Sequence, residues 1–305
     1  MIQTRSLGVK LGEEDCLWID LCRPDAKELA LASEQAGFRV PDRGNIGEIE
    51  FTSRVRNLGE VLFLNVPRFQ EGEARGAPLG FAISRRALVT QREQPIEALV
   101  TIERSLGERR CEGPVDLFLR ILEHLVDRLA DNLETVESEL SELNRQVFDT
   151  ADHVQHELRK TLLRVGGLGR RLGRMHNTSM GLLRIAAYLQ ESAPPWFDPD
   201  SPPRIKLIAK DLISLNEFED QLGERVEFLL DGVLGLISIN QNEVMRVMAV
   251  ASVVGVPPTV LVGVWGMNFA HMPELAWRPG YFVALGVIAA SIALPLWWFR
   301  RRGWL

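Results

Sequence analysis

Two uninterrupted stretches without a charged residue lie close together near the C-terminus, and they constrain this chain more than any other feature. Residues 247–265 read VMAVASVVGVPPTVLVGVW and residues 281–299 read YFVALGVIAASIALPLWWF, nineteen residues each. At 1.5 Å per residue each would span about 28 Å as a helix, close to the roughly 30 Å hydrocarbon core of a bilayer. Helices buried in a soluble core reach similar apolarity. Two such runs, joined by the short FAHMPELAWRPG loop and followed at once by Arg300, Arg301 and Arg302, instead predict a membrane hairpin. Arg246 precedes the first run, whereas the loop offers Arg278 alone. The excess of positive charge on the cytosolic side of spans then places both termini in the cytosol and the loop outside. Trp265, Trp277, Tyr281, Trp297, Trp298 and Trp304 fall at the expected interfaces, as an aromatic belt requires.

The rest of the chain is ordinary in composition. Charges are spread through the first 246 residues, and Lys and Arg are mixed with Asp and Glu to a net charge of −6. That balance offers no basic patch for nucleic acid. The opening MIQTRSLGVKLGEED lacks the apolar core of a signal peptide, so the N-terminus is expected to stay in the cytosol. Cys16, Cys22 and Cys111 form no CxxC pair and are expected to be reduced thiols.

Local patterns divide this cytosolic part. CLWIDL (16–21) reads as a buried strand, and residues 25–36 as a short helix ended by Gly37. IGEIEFTSRVRN, EVLFLNVPRF and RRALVTQRE read as further strands, which makes residues 1–113 an α/β domain. From Pro114 the apolar residues recur at three- and four-residue spacing, so 114–203 is a helical region. Its second helix carries Gly166, Gly167, Gly169, Gly173 and Gly181. Each glycine costs about 1 kcal/mol against alanine in an exposed helix, which close helix–helix approach would offset. APPWFDPDSPP, with five prolines, breaks the pattern. Beyond it, residues 204–246 form a stalk that continues into the first span, 247–268, as one rod of roughly 90 Å. An outer loop (269–280), a second span (281–299) and a basic tail (300–305) complete the chain.

A seam runs along this rod. Alternating steps of four and three residues visit Asp231, Gly235, Ser238, Asn242, Met245, Ala249, Ser252, Val256, Thr259, Gly263 and Gly266. All are small or polar except Met245 and Val256. The 3.5-residue period is that of helices packed around a common axis. Small residues also serve plain close packing of membrane helices. The oxygen-bearing Asp231, Asn242 and Thr259 favour a pore, since a hard cation needs rings of oxygen ligands.

Gly266-Met267-Asn268 followed by MPEL (272–275), at the end of one span and before a second, resembles the signature of the CorA family of magnesium channels. The similarity is strong from about Glu227 to the end. The resemblance implies a funnel-shaped homopentamer whose first membrane helix lines the pore. By the same resemblance Asn268 forms the outer selectivity ring, Thr259 and Asn242 polar rings, Met245 and Val256 the hydrophobic constriction, and Asp231 an acidic ring at the cytosolic end. An amide ring suits Mg²⁺, which gives up its waters reluctantly and can be held through them. Family members carry an acidic residue in the outer loop where Ala270 and His271 stand here, with Glu274 beyond. RIKLIAKD (204–211) is basic and apolar except for Asp211, where the resemblance leads one to expect cytosolic Mg²⁺-sensing carboxylates, which argues against magnesium-sensing closure. The glycine- and arginine-rich helix is similar to the zinc-transporting branch of the superfamily. Asp149, Asp152, His153 and His156 stand at spacings that can ligate Zn²⁺, or that simply form a solvated helix end.

No P-loop, HExxH or Ser–His–Asp arrangement supports an enzyme, and no cofactor is implied. These readings predict a multi-pass protein of the inner (plasma) membrane. It assembles with itself and passes divalent cations, Mg²⁺ first with Co²⁺ or Ni²⁺ beside it. Zn²⁺ transport is the alternative, and a non-conducting membrane regulator the third reading.

Overall fold

A computed structural model describes residues 1–11, 14–41, 55–66, 78–106, 111–148, 155–267 and 277–304. They form two compact units, one of Met1–Ala151 with Thr161–Leu230, the other of Asp152–Lys160 with Asp231–Leu305.

The first unit is built on a six-stranded sheet of order β1-β2-β6-β5-β4-β3. Its strands are β1 (Ile2–Leu11), β2 (Glu14–Cys22), β3 (Val55–Asn57), β4 (Leu62–Val66), β5 (Leu79–Ile83) and β6 (Ala87–Arg92). β2 and β6 run parallel and every other pair is antiparallel. Helix α1 (Ala26–Ala36) lies against one face, where Ala32 and Ala36 join Ile19, Leu21, Ala82 and Val89 in a buried cluster. Its ends are fixed by short-range chemistry. Asp25 accepts from the Glu28 N–H at 2.7 Å while Glu28 accepts from the Asp25 N–H, and Gly37 closes the helix in the left-handed region at φ 76°.

The other face is covered by α3 (Pro114–Phe148), whose Phe118 ring meets Phe81 edge-on at 5.2 Å. A short α2 (Glu97–Ser105) precedes it. With both faces covered, the inner strands are buried throughout, which is why β5 reads LGFAI without alternation. One polar thread survives on this face. Trp18 Nε1 donates to Thr90 Oγ1 (3.1 Å), Thr90 donates to Asp20 (2.7 Å), and Arg92 closes on Asp20 at 2.8 Å.

Three helices make the remaining layer: α3, α4 (Gln155–Ser192) and the first part of α5 (Ser201–Trp265). The buried residues of α3, Leu122, Val126, Leu129, Leu133, Val136, Leu140, Leu143 and Val147, alternate four- and three-residue steps. This is the knobs-into-holes pattern of a coiled coil. Polar pairs pin the register. Arg204 binds Glu123 through two nitrogens (2.8 and 2.9 Å) and Asp116 at 2.7 Å, and Arg171 meets Glu139 at 3.1 Å. Burial opposes the charge of Asp116, but the Glu112 N–H, Arg204 and Arg120 outweigh it and hold the carboxyl below its ordinary range.

The helical rows are not uniformly apolar. In α4 the row Leu168, Leu172, Met175, Ser179, Leu182 has a serine, and in α5 the row Leu212, Glu219, Leu222, Val226 has a glutamate. Ser179 donates to Asn216 at 3.0 Å. Glu219 is 2 % exposed, and burial, then the neighbouring Asp220, push its carboxyl up to about 8. His176 stands 3.2 Å away and would pull the other way if charged. Its ring is 43 % exposed, so solvent screens that pull and burial decides the direction.

The expected strand at 16–21, the capped helix, the helices from Pro114 and the long rod all form. β1, β5 and α2 were not anticipated. The α4 glycines correct the sequence reading in part. A Cβ on Gly169 would stand 3.3 Å from Val226, a close approach, but one on Gly173 would meet nothing within 4 Å. The three cysteines are free, and burial raises Cys111 to about 11.

Candidate ion-conducting face

In the second unit, α5 continues without interruption to Trp265, through Pro257 and Pro258, and is followed by α6 (Gly280–Arg301). Only 11 % and 6 % of the most apolar windows of α5 and α6 are buried. A core helix of a soluble protein would be covered; these two present apolar side chains outward over most of their surface, which suits lipid and neighbouring helices.

Each helix is shielded along one stripe. On α5 it runs through Val250, Val254, Leu261 and Trp265; on α6 it runs through Ala284, Ile288, Ser291, Pro295 and Phe299. At 100° per residue the α5 stripe lies opposite the small and polar seam, because Val250, Val254 and Leu261 each stand two positions from Ser252, Val256 and Gly263. All eleven seam positions from Asp231 to Gly266 are exposed. The seam therefore faces away from whatever the chain itself covers.

Local bonding gives the seam its chemical character. Ser252 donates its hydroxyl proton to the Met248 carbonyl at 2.9 Å, and Thr259 to the Gly255 carbonyl at 2.8 Å. With the proton turned back into the helix, each hydroxyl oxygen keeps its lone pairs outward as an acceptor. Among the described residues Asp231 and Asn242 make no side-chain hydrogen bond or ion pair, so their oxygens too are uncommitted. Met245 (65 % exposed) and Val256 (57 %) interrupt the row with apolar surface. The seam thus alternates oxygen acceptors with two apolar steps and carries one negative charge, at Asp231.

The end of the helix explains one member of the GMN motif. The Gly266 N–H bonds to the Val262 carbonyl at 2.9 Å and the Met267 N–H to Val264 at 3.3 Å as the helix unwinds. A Cβ on Gly266 would stand 3.0 Å from the Val262 oxygen, a tight contact relieved only if the helix end gives by a few tenths of an ångström, which favours glycine here. Asn268, His271 and Glu274 lie outside the described residues. So do Asp149, Asp152 and His153, and His156 falls in the first turn of α4. Among the described residues no three His, Cys, Asp or Glu side chains converge as a metal site.

At the other end of α6, Arg301 and Arg302 lie over the rings of Trp297 and Trp298 at 5.4 and 4.6 Å, and Phe299 stacks on Trp304 at 5.4 Å. Aromatic rings bonded to cations suit a membrane–water boundary.

An α/β sheet domain and two exposed apolar helices, the longer of which bears an acceptor-lined seam, together define a two-span membrane protein of the ion-transport kind. The chain belongs to the CorA-like Mg²⁺ transporter protein family, whose model matches residues 13–301. It is 29 % identical over 295 residues to the magnesium transport protein CorA of Pasteurella multocida, covering 95 % of this chain and 92 % of that protein. In fold it is similar to the complete CorA magnesium transporter of Methanocaldococcus jannaschii, with a TM-score of 0.79, 21 % identity, and coverage of 98 % of this chain and 94 % of the other. It also resembles the ZntB cytoplasmic domain of Vibrio parahaemolyticus, with a TM-score of 0.57 and 16 % identity over 75 % of this chain and 88 % of that one.

Proposed function

We propose that this protein is a passive conductor of divalent metal cations, Mg²⁺ foremost, formed by five copies around the α5 seam. The observation that carries this reading is the exposed row of acceptors on the side of α5 opposite its shielded stripe. A single chain encloses nothing, and only a ring of copies turns such a row into a lumen. Family membership and the name of the Pasteurella relative favour Mg²⁺ as cargo. Exposed Leu207, Ile213 and Phe228 on the first-unit part of α5 add apolar surface suited to neighbouring copies.

In this assembly the ion enters largely hydrated. The Asn268 amides accept from its water shell, and the outward lone pairs of Thr259, Ser252 and Asn242 replace bulk water along the path. Met245 and Val256 form apolar constrictions that close the path by dewetting. Asp231 draws the cation to the cytosolic mouth. Residues 1–246 and the 300–305 tail lie in the cytosol and the 269–280 loop outside, on the distribution of arginine.

Zinc is the second reading, favoured by His271, whose imidazole suits Zn²⁺ and offers little to hydrated Mg²⁺. Flux into liposomes by the purified protein decides between them. Mg²⁺ flux lost in Asn268→Ala and nearly unchanged in His271→Ala supports the proposal. Unimpaired flux in Asn268→Ala sinks the pore reading, and zinc flux without magnesium flux, lost in His271→Ala, transfers it to zinc.

A further inference from the structure

Between α4 and α5, wholly inside the first unit, lies an open cleft of about 600 Å³ that conduction does not use. Its space comes from Gly173 and Gly223, where added Cβ atoms would meet nothing within 4 Å and only a Leu172 methyl at 3.9 Å. Its walls carry Glu219, Asp220, Glu224 and Glu227, with His176 as the sole basic side chain among the lining residues. Asp220, Glu224 and Glu227 are solvent-exposed, so water screens their mutual repulsion and they add a negative potential around the cleft. One group points to a bound cation directly. Glu219 occupies a core position of its helical row, is 98 % covered, and its Oε1 has no hydrogen-bond partner among the described residues. A buried carboxylate oxygen left unmatched is costly, and leucine would fill the row without that cost.

The other oxygen has a partner of a particular kind. His176 Nδ1 lies 3.2 Å from Glu219 Oε2. Two donors each about 2.0–2.2 Å from one metal ion, at tetrahedral or octahedral angles, stand about 2.9–3.5 Å apart. The separation therefore fits a proton shared between the two groups, and equally two neighbouring ligands of a single ion. With no third protein donor converging among the described residues, water completes the shell. Six waters occupy about 180 Å³, well within the cleft.

We infer that His176 and Glu219 bind one partly hydrated divalent transition-metal ion per chain, of the Zn²⁺ or Co²⁺ class, between α4 and α5. The imidazole nitrogen selects borderline metals over Mg²⁺, which prefers oxygen alone. Asp220, Glu224 and Glu227 serve it through its waters. Because the site joins two helices of one subunit, its occupancy ties α4 to the helix that leads into the pore. It is independent of what the seam conducts.

The test is equilibrium binding of Zn²⁺ to the chelator-treated, full-length protein in detergent, with no flux measured. We expect one ion per chain, as against one per assembly for a site on a shared axis. His176→Ala and Glu219→Gln should each weaken that binding by about tenfold or more, the scale of loss when a metal site is disturbed. Mg²⁺ should bind at least about tenfold more weakly than Zn²⁺. If Glu219→Gln does not fold, the half-exposed His176 decides alone. One-per-chain binding that survives His176→Ala, or none in the wild type, overturns the inference and leaves Glu219 as a register-setting polar residue that holds only a proton.

Discussion

Glu219 and Gly266 each have an environment that dictates the residue type or charges a cost for it. At Gly266 a side chain would crowd the Val262 carbonyl and require the helix end to give by a few tenths of an ångström. Glu219 is there against its own solvation, with a carboxyl raised from 4.5 to about 8 by burial and Asp220. A raised carboxyl favours the protonated folded state. Its contribution to stability is fully present below about pH 4.5 and is lost as pH rises through about 8. In metal-free buffer, Glu219→Gln should therefore raise the thermal midpoint relative to wild type at pH 8.5 and leave the difference small near pH 4.5. Parallel midpoints across that range would mean that Glu219 is better solvated than its 2 % exposure implies.

Among the elements, α3 and α5 show two uses of one period. In α3 the 3.5-residue row is leucine and valine and holds a core together. Leu133, fully buried in the middle of it, should cost about 2–5 kcal/mol when replaced by alanine, read from denaturant unfolding followed by helical circular dichroism. A loss under 1 kcal/mol would mean the row collapses readily. In α5 beyond Asp231 the same period is written in small and polar residues and lies exposed. There Met245→Ser should leave stability nearly unchanged but raise basal cation flux, because it removes an apolar step from the seam without removing a core contact. Unaltered flux would place the constriction elsewhere, with Val256 the next position to test.

For the whole molecule, the polar seam and the apolar surface of the two exposed helices set the requirement for partners. The detergent-solubilised protein should have the mass of five 34.3 kDa chains plus bound detergent. A monomer or dimer as the largest stable species would remove the lumen on which conduction depends. Much of this architecture is legible along the chain because it rests on local or strongly periodic signals. The two uncharged runs, the Asp25–Glu28 cap, the Gly37 stop and the 3.5-residue rows each need only neighbours within a few turns. β1 and β5 escaped such reading for opposite reasons. β1 is an edge strand whose IQTRSLGVKL is mostly polar, and β5 is five buried residues too short to separate from loop. Both are fixed by pairing with partners distant in sequence. The glutamate in the α5 row escaped sequence reading, since only packing buries it and places His176 of another helix 3.2 Å from it. The sequence by itself determined the spans, the long helix and the composition of its seam, because hydrophobicity and period act along one element. Tertiary structure alone decided which side of α5 is shielded, which glycines touch and which leave space, and which carboxylate oxygen is left unmatched among the described residues, because each depends on what a second element brings alongside.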